Sequence, residues 1–98
     1  MKTYQFTVPV HKANAAFDVV LAHKFGGFTV TQGLGAWVDD EKVLITERVL
    51  VYQVTTEDRE DLESLVLGFL TEQGEQVAYF GVIGEHSLTD LQVQREAE

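Results

Sequence analysis

The sequence predicts an α+β domain whose elements follow the order β-α-β-β-α-β. Four segments alternate apolar with polar residues or are rich in β-branched residues, as strands are. Two further segments carry apolar residues at helical spacing. The length of 98 residues and the hydrophobic fraction of 45% fit one domain over residues 1–98.

The first strand and the first helix come from the N-terminal quarter of the chain. Apolar residues alternate with polar ones along the strand, and Pro9 places its end near an edge or a loop. A helix is predicted over residues 11–25, with Asn14 or His11 near its start and Gly26-Gly27 at its end. Its apolar stripe consists of Ala13, Ala16, Phe17, Val20 and Leu21.

The second and third strands form a predicted hairpin. The period of two resumes over residues 28–38, where Gly33 and Gly35 indicate a bulge or a close backbone approach. A polar connection, 39–42, leads into a long strand over residues 43–54. Both faces of that strand are mostly apolar, so we expect both to be covered.

The second helix and the fourth strand complete the order. Thr55 is expected to cap the helix, with Asp58 at capping-box spacing, and Gly74 to end it. Its apolar stripe consists of Leu62, Leu65, Val66, Phe69 and Leu70. A strand over residues 76–83 precedes a polar tail, 85–98, which packs as a short element or docks on a neighbouring subunit. This order is the ferredoxin-like plan, a four-stranded antiparallel sheet with two helices on one face.

Composition narrows the classes of function. The net charge of -9, from 7 basic and 16 acidic residues, lacks the basic footprint of nucleic-acid binding and disfavours anionic membranes. Without cysteine the chain has no thiolate nucleophile, disulfide or Cys-based metal site. No segment has the continuous apolar core of a signal peptide or the length of a membrane span, so we expect a cytoplasmic protein.

One face of the predicted sheet lacks helices to cover it. Tyr, Phe, Val and Ile residues are expected on both sides of strands one, three and four. Exposed apolar surface of that kind marks an interface, and sheets packed together in a closed homo-oligomer would cover it.

Glu47 is the strongest candidate for a functional residue. It lies inside the third strand, on the same face as Val43, Ile45, Val49 and Val51. A carboxylate on such a face is costly unless it meets a cation, hydrogen-bond donors or a ligand. One interpretation is a structural pair with Lys42, a neighbour's Arg48 or backbone donors. The other is a site for a cationic ligand group.

Other candidates surround the hairpin. The glycines Gly33 and Gly35 let the backbone approach a ligand, although no helix follows them as in a dinucleotide-binding motif. Trp37 either stacks on a purine or is buried in the core or an interface. Tyr52 and Tyr79 lie on strands, where each is a core residue or donates a hydroxyl into a cleft. The histidines share no metal-ligand spacing, so no metal site is predicted.

Several short motifs together resemble those of the small phage-encoded S-adenosylmethionine lyases, formerly called hydrolases. They are the Gly26-Gly27 turn, the segment 29–37 with Gly33, Gly35 and Trp37, the strand segment 46–49, and the acidic helix start. The resemblance spans roughly residues 26–84. It implies a fold similar to the trimeric PII signalling proteins, with ligand sites between subunits. It also implies a homo-oligomer, with a trimer favoured, in the host cytoplasm.

The resemblance implies cleavage of S-adenosylmethionine to methylthioadenosine and homoserine lactone by attack of the substrate's own carboxylate, with no cofactor. Glu47 matches the strand glutamate of the family's active site. Trp37 stands where the family has a tyrosine, so Tyr52 or Tyr79 would have to supply any phenol. Gly33 and Gly35 would bind the substrate's polar ends, and Trp37 would contact the adenine or form the cleft wall.

Two other classes of function remain open. One is a PII-like module that binds a small ligand without turnover, and the other is an oligomeric interaction protein. PII sensors present a long loop between strands two and three, whereas this chain has only Asp39 to Lys42 there.

Overall fold

The computed structural model of the chain describes residues 1–75 and 79–85. Four strands form one antiparallel sheet in the order β2-β3-β1-β4, and two helices accompany it. The α+β arrangement is therefore as predicted, and it is consistent with a ferredoxin-like fold. The elements are β1 (Lys2–Pro9), α1 (Ala15–Phe25), β2 (Thr29–Val38), β3 (Leu44–Thr56), α2 (Arg59–Glu72) and β4 (Phe80–Glu85). A short 3-10 turn, Val10–Lys12, links β1 to α1.

The hydrophobic core lies between both helices and one face of the sheet. Phe6 of β1 and Tyr52 of β3 are register partners, and their rings stack with centroids 4.9 Å apart. Phe17 of α1 meets both rings edge-on. The buried helix residues are Phe17, Leu21, Leu62, Val66, Phe69 and Leu70. Because side chains alternate along each strand, this core fixes which residues point to the opposite, uncovered face.

Helix α1 begins at Ala15, four residues after the start of the predicted range 11–25, and it buries less than expected. Asn14 is the N-cap, and its side-chain oxygen accepts a hydrogen bond from the Phe17 amide at 3.0 Å. Gly26 ends the helix with φ +87°, a conformation that glycine adopts at little cost. The predicted apolar stripe is too wide, since Val20 is 47% exposed and Phe17 and Leu21 are the buried positions of the helix.

The predicted cap of α2 is wrong. Asp58 is the N-cap, and its carboxylate accepts a hydrogen bond from the Asp61 amide at 3.3 Å. Thr55 stays in β3, because β1 pairs with this strand as far as Thr56 and Thr3 hydrogen-bonds the Thr55 hydroxyl at 2.8 Å. Because Thr55 and Thr56 still pair with β1, the helix begins only after them, at Arg59.

Strands β2 and β3 form the predicted hairpin without a bulge. Their register runs unbroken from the pair Thr29 and Gln53 to the pair Val38 and Leu44. The bulge expected at Gly33 and Gly35 is therefore wrong. The connecting turn is closed by Asp39, whose carboxylate accepts hydrogen bonds from the amides of residues 41 and 43 at 2.8 and 2.9 Å.

The hairpin extends past the rest of the sheet. Strand β1 pairs with β3 only as far as Val49, so residues 44–48 pair with β2 alone. We call residues 34–48 the hairpin ribbon. Three of its large apolar side chains are strongly exposed, namely Leu34 at 70%, Leu44 at 63% and Val38 at 59%. Surface of this kind is typical of contacts with another chain.

The uncovered sheet face is more polar than predicted. In β1 the side chains Tyr4, Phe6 and Val8 all belong to the core. The opposite side of β1 therefore carries Thr3, Gln5, Thr7 and Pro9, and the Gln53 amide donates a hydrogen bond to Gln5 at 3.0 Å. The expectation of apolar residues on both sides of the first strand is wrong. Among the described residues, Val49 and Val51 of β3 and Trp37 of β2 contribute apolar side chains to this face.

Part of the predicted fourth strand and most of the tail lie outside the described residues. Strand β4 begins at Phe80, and residues 76–78 and 86–98 are not among those described. Within the described ranges, neither helix has the length and apolar character needed to cross a membrane.

Candidate functional site

A cleft of about 680 Å³ lies near the start of β4, between residues of the uncovered sheet face and the C-terminal end of α2. Strand β4 joins β1 at Phe6, so among the described residues positions 7–9 of β1 pair with β3 alone. The cleft is lined by Thr7, Pro9, Gly35, Ala36, Trp37, Glu47, Val49, Leu70, Glu75 and Tyr79. Its volume falls in the range of small-molecule sites, about 300–1,000 Å³.

Glu47, the strongest candidate from the sequence, lines this cleft. It projects from β3 on the side opposite the core residue Tyr52, and its side chain is 30% exposed. The polar side chain beside it is His11 of the 3-10 turn, whose Nδ1 lies 3.9 Å from Glu47 Oε2. That distance is too long for a hydrogen bond, and the His11 side chain is 65% exposed. The carboxylate is thus partly desolvated, with no close fixed cation among the described residues.

A second carboxylate in the cleft, Glu75, already has a cation. It forms a close ion pair with Lys12, and these side chains are 26% and 21% exposed. Gly74, with φ +84°, turns the chain after α2, and the Glu75 amide then bonds to the Leu70 carbonyl at 3.0 Å. This helix end holds Glu75 over the cleft. The consecutive residues His11 and Lys12 therefore each face one carboxylate.

Two half-exposed aromatic side chains complete the cleft. Trp37 of β2 is 48% exposed, and Tyr79, just before β4, is 49% exposed. Both line the cleft, so an indole and a phenol are within the same cavity as Glu47. Flat apolar rings of this kind contact nucleobases by stacking.

The two glycines predicted to contact a ligand lie in different depressions of the surface. Gly35 lines the cleft, directly opposite Glu47 in the β2–β3 ladder. Gly33 instead lines a shallow depression with Gln32, Leu34 and Arg48. A Cβ on Gly33 would meet the Val51 side chain at 3.4 Å, and one on Gly35 would meet Val49 at 3.7 Å, so neither glycine is required by crowding.

Tyr52 is not brought to the cleft. It is 1% exposed in the core, and its hydroxyl donates a hydrogen bond to Asp18 Oδ1 at 2.6 Å. Burial, followed by the hydrogen bond and the charge of Asp18, raises the pKa of Tyr52 well above its ordinary value. This phenol stays protonated and structural, which leaves Tyr79 as the tyrosine within the cleft.

Sequence reasoning missed several residues of the cleft. Thr7 of β1 and Glu75 of the loop after α2 line it, and His11 and Lys12 of the 3-10 turn lie beside its carboxylates Glu47 and Glu75. No spacing in the sequence links them, because the fold brings positions 60 or more residues apart together. The one local signal is Gly74, whose turn sets the position of Glu75.

The described residues contain no group of three or more histidine, cysteine or acidic side chains that could hold a metal ion. No protein-family model matches the chain, and no curated protein matches it significantly. The cleft geometry and the residue chemistry therefore carry the functional argument.

Proposed function

We propose that the protein is an S-adenosylmethionine lyase that forms methylthioadenosine and homoserine lactone. The observation that carries the proposal is Glu47, a partly buried carboxylate in a cleft of suitable size. It lies in the same cleft as two aromatic rings and has no close fixed cation among the residues that the structure describes. A sulfonium is a cation that forms no hydrogen bonds, so it is recognised by a carboxylate and by ring faces. The short motifs of the hairpin and of β3 support the same substrate.

The reaction needs positioning rather than a nucleophile from the protein. A carboxylate oxygen of the substrate forms a bond to its own γ-carbon, the bond from that carbon to sulfur breaks, and the electron pair goes to sulfur. The sulfonium and the carboxylate become a neutral thioether and a neutral lactone, and no proton is transferred. Holding the reacting groups together supplies up to about 7–11 kcal/mol of the barrier.

Each cleft residue has a role in this proposal. Glu47 faces the sulfonium, and its charge holds the substrate in the folded conformation that brings carboxylate and γ-carbon together. Trp37 stacks on the adenine or forms the wall beside it. Gly35 leaves its backbone and the space above it open to the substrate. Tyr79 supplies the phenol, since Trp37 stands at the position of the family's tyrosine.

Self-association is part of the proposal. The cleft is bordered by the hairpin ribbon, whose exposed leucine and valine side chains favour contact with another copy of the chain. A closed homo-oligomer, with a trimer favoured by the resemblance, would place the cleft between subunits and exclude water from it. Light scattering on the purified protein measures the subunit number.

The proposed activity is tested by incubating the purified protein with S-adenosylmethionine and separating the products by chromatography. Methylthioadenosine should form faster than in buffer, and Glu47→Gln should remove most of that increase. The matched control is Glu41→Gln, which removes an exposed carboxylate at the tip of the hairpin. Absence of enzyme-dependent methylthioadenosine would overturn the proposal.

A second candidate is a module that binds the same ligand without turnover. The replacement of the family's tyrosine by Trp37 favours it, because an indole cannot act as a phenol. Binding of S-adenosylmethionine that persists for hours without product would support this candidate over the lyase.

A further inference from the structure

The cleft contains a second charged element that the proposed reaction does not use. Glu75 lines the cleft and forms an ion pair with Lys12 beside it, and these side chains keep 26% and 21% of their surface exposed. The contact joins Lys12 Nζ to Glu75 Oε2. An ammonium has three donors and a carboxylate has two oxygens, so both groups retain hydrogen-bonding capacity for a ligand.

The polarity of this pair matches one chemical group in particular. An amino-acid end carries an ammonium and a carboxylate two bonds apart. When this amino-acid end lies beside an ion pair with its charges in the opposite order, its ammonium meets the carboxylate of the pair. Its carboxylate then meets the ammonium of the pair. Four alternating charges then close a ring, in which each hydrogen bond is charge-assisted.

We propose that Lys12 and Glu75 bind the amino-acid end of the ligand, with Glu75 on its α-ammonium and Lys12 on its carboxylate. This rests on the proposed function, because the ligand is an amino acid that also carries a sulfonium. S-adenosylmethionine has two cationic groups and one anionic group. Among the described residues, two carboxylates, Glu47 and Glu75, line the cleft, and the ammonium of Lys12 lies beside Glu75.

The arrangement of the chain supports separate sites for the sulfonium, at Glu47, and for the amino-acid end, at Lys12 and Glu75. His11 and Lys12 are adjacent in the 3-10 turn, yet His11 lies beside Glu47 and Lys12 beside Glu75. Among the described residues, Glu47 therefore has no close fixed cation, whereas Glu75 has a preformed ion pair with Lys12. Lys12 would also restrain the substrate carboxylate, which is a positioning role, because the attacking oxygen must lie close to the γ-carbon.

The test measures binding of two probes by calorimetry. The first is S-adenosylmethionine compared with its decarboxylated form, which lacks the carboxylate. Lys12→Gln should weaken binding of S-adenosylmethionine about tenfold and leave the decarboxylated form within about twofold. The control is Lys24→Gln, an exposed lysine near the end of α1. Equal losses for both ligands would overturn the inference.

The second probe is S-methylmethionine, which carries the sulfonium and the amino-acid end without a nucleoside. Its binding should be lost in the exchange variant Lys12→Glu with Glu75→Lys, which keeps an ion pair between the two positions and reverses its polarity. Wild-type affinity in that variant, in a protein that melts like wild type, would contradict the inference.

The outcomes separate this inference from the proposed function. Turnover of S-adenosylmethionine that does not depend on Lys12 or Glu75 supports the lyase and overturns the subsite. If binding of S-methylmethionine depends on both residues but S-adenosylmethionine yields no methylthioadenosine, the subsite is supported and the lyase is overturned. Absence of binding for both probes overturns both.

Discussion

Gly35 lies directly opposite Glu47 in the ladder between β2 and β3, and both line the cleft. Gly35 has no side chain to fill the space beside the carboxylate. The nearest atoms to an added Cβ would be the Glu47 carbonyl oxygen and a Val49 methyl, each at 3.7 Å, which is an ordinary contact. The glycine is therefore dispensable for packing, and its effect is to leave the floor of the cleft open.

The first prediction concerns this glycine. Gly35→Ala should fold with unchanged or slightly higher stability, within about 1 kcal/mol, because glycine is unfavourable inside a strand. It should weaken S-adenosylmethionine binding several-fold, since the methyl group occupies the space beside Glu47. Thermal melts and calorimetry measure the two effects. Gly33→Ala is the matched control, because Gly33 lies outside the cleft, and equal weakening in both variants would contradict the prediction.

A second prediction concerns the histidine beside Glu47. His11→Lys places a permanent cation near the carboxylate, at a side chain that is 65% exposed. We expect weaker binding of the sulfonium ligand by about two- to fivefold, the effect of an exposed charge pair of about 0.5–1 kcal/mol. His11→Gln, which adds no charge, should bind as wild type does. Tighter binding by the lysine variant would show that Glu47 does not face a cationic group.

A third prediction uses the buried phenol. Tyr52→Phe removes the hydrogen bond to Asp18 and should lower the free energy of unfolding by about 1–2 kcal/mol at neutral pH. The raised pKa of Tyr52 means that the folded state favours the protonated phenol. Its contribution is therefore fully present below about pH 10, the ordinary tyrosine value, and is lost as the pH rises above it.

Denaturant titrations of wild type and Tyr52→Phe between pH 7 and 11 test that sign. The difference in unfolding free energy should stay constant to about pH 10 and then shrink. A difference that grows above pH 10 would contradict the assignment. Tyr79→Phe is the control for a half-exposed tyrosine.

A fourth prediction addresses the aromatic position in β2. Trp37→Tyr restores a phenol where the resemblance places one, on a side chain that is 48% exposed. We expect faster formation of methylthioadenosine per subunit, with a stability change within about 1 kcal/mol because the site is largely at the surface. Trp37→Phe is the matched variant without a hydroxyl. Equal rates for the tyrosine and phenylalanine variants would show that the phenol has no role at this position.

Much of the fold could be predicted because it follows from local patterns. The alternation in β1, the Gly26-Gly27 stop and the stripe of α2 each report a single element and its buried side. The errors arose where a distant partner decides the outcome. Thr55 is held in β3 by pairing with β1, and no property of the local sequence reveals that pairing.

The candidate site was predictable only in part, for the same reason. The sequence alone singles out Glu47, because a charge in an apolar strand is visible within one segment, and the structure places it in the cleft. Lys12 and Glu75 were not found, because their contact spans 63 positions and depends on where β1 and α2 end. Tyr52 is a candidate from sequence because a strand pattern separates the two faces of the sheet. It does not show which face the helices cover, and Tyr52 lies on the covered one.

The central claim is that the Glu47 carboxylate recognises a positive charge at the sulfur of the ligand. It is tested most directly by comparing the affinities for S-adenosylmethionine and S-adenosylhomocysteine, which differ by a methyl group and that charge. We predict that wild type prefers the sulfonium by about tenfold and that Glu47→Gln loses this preference. A Glu47→Gln protein that folds as wild type and keeps the full preference would contradict the claim.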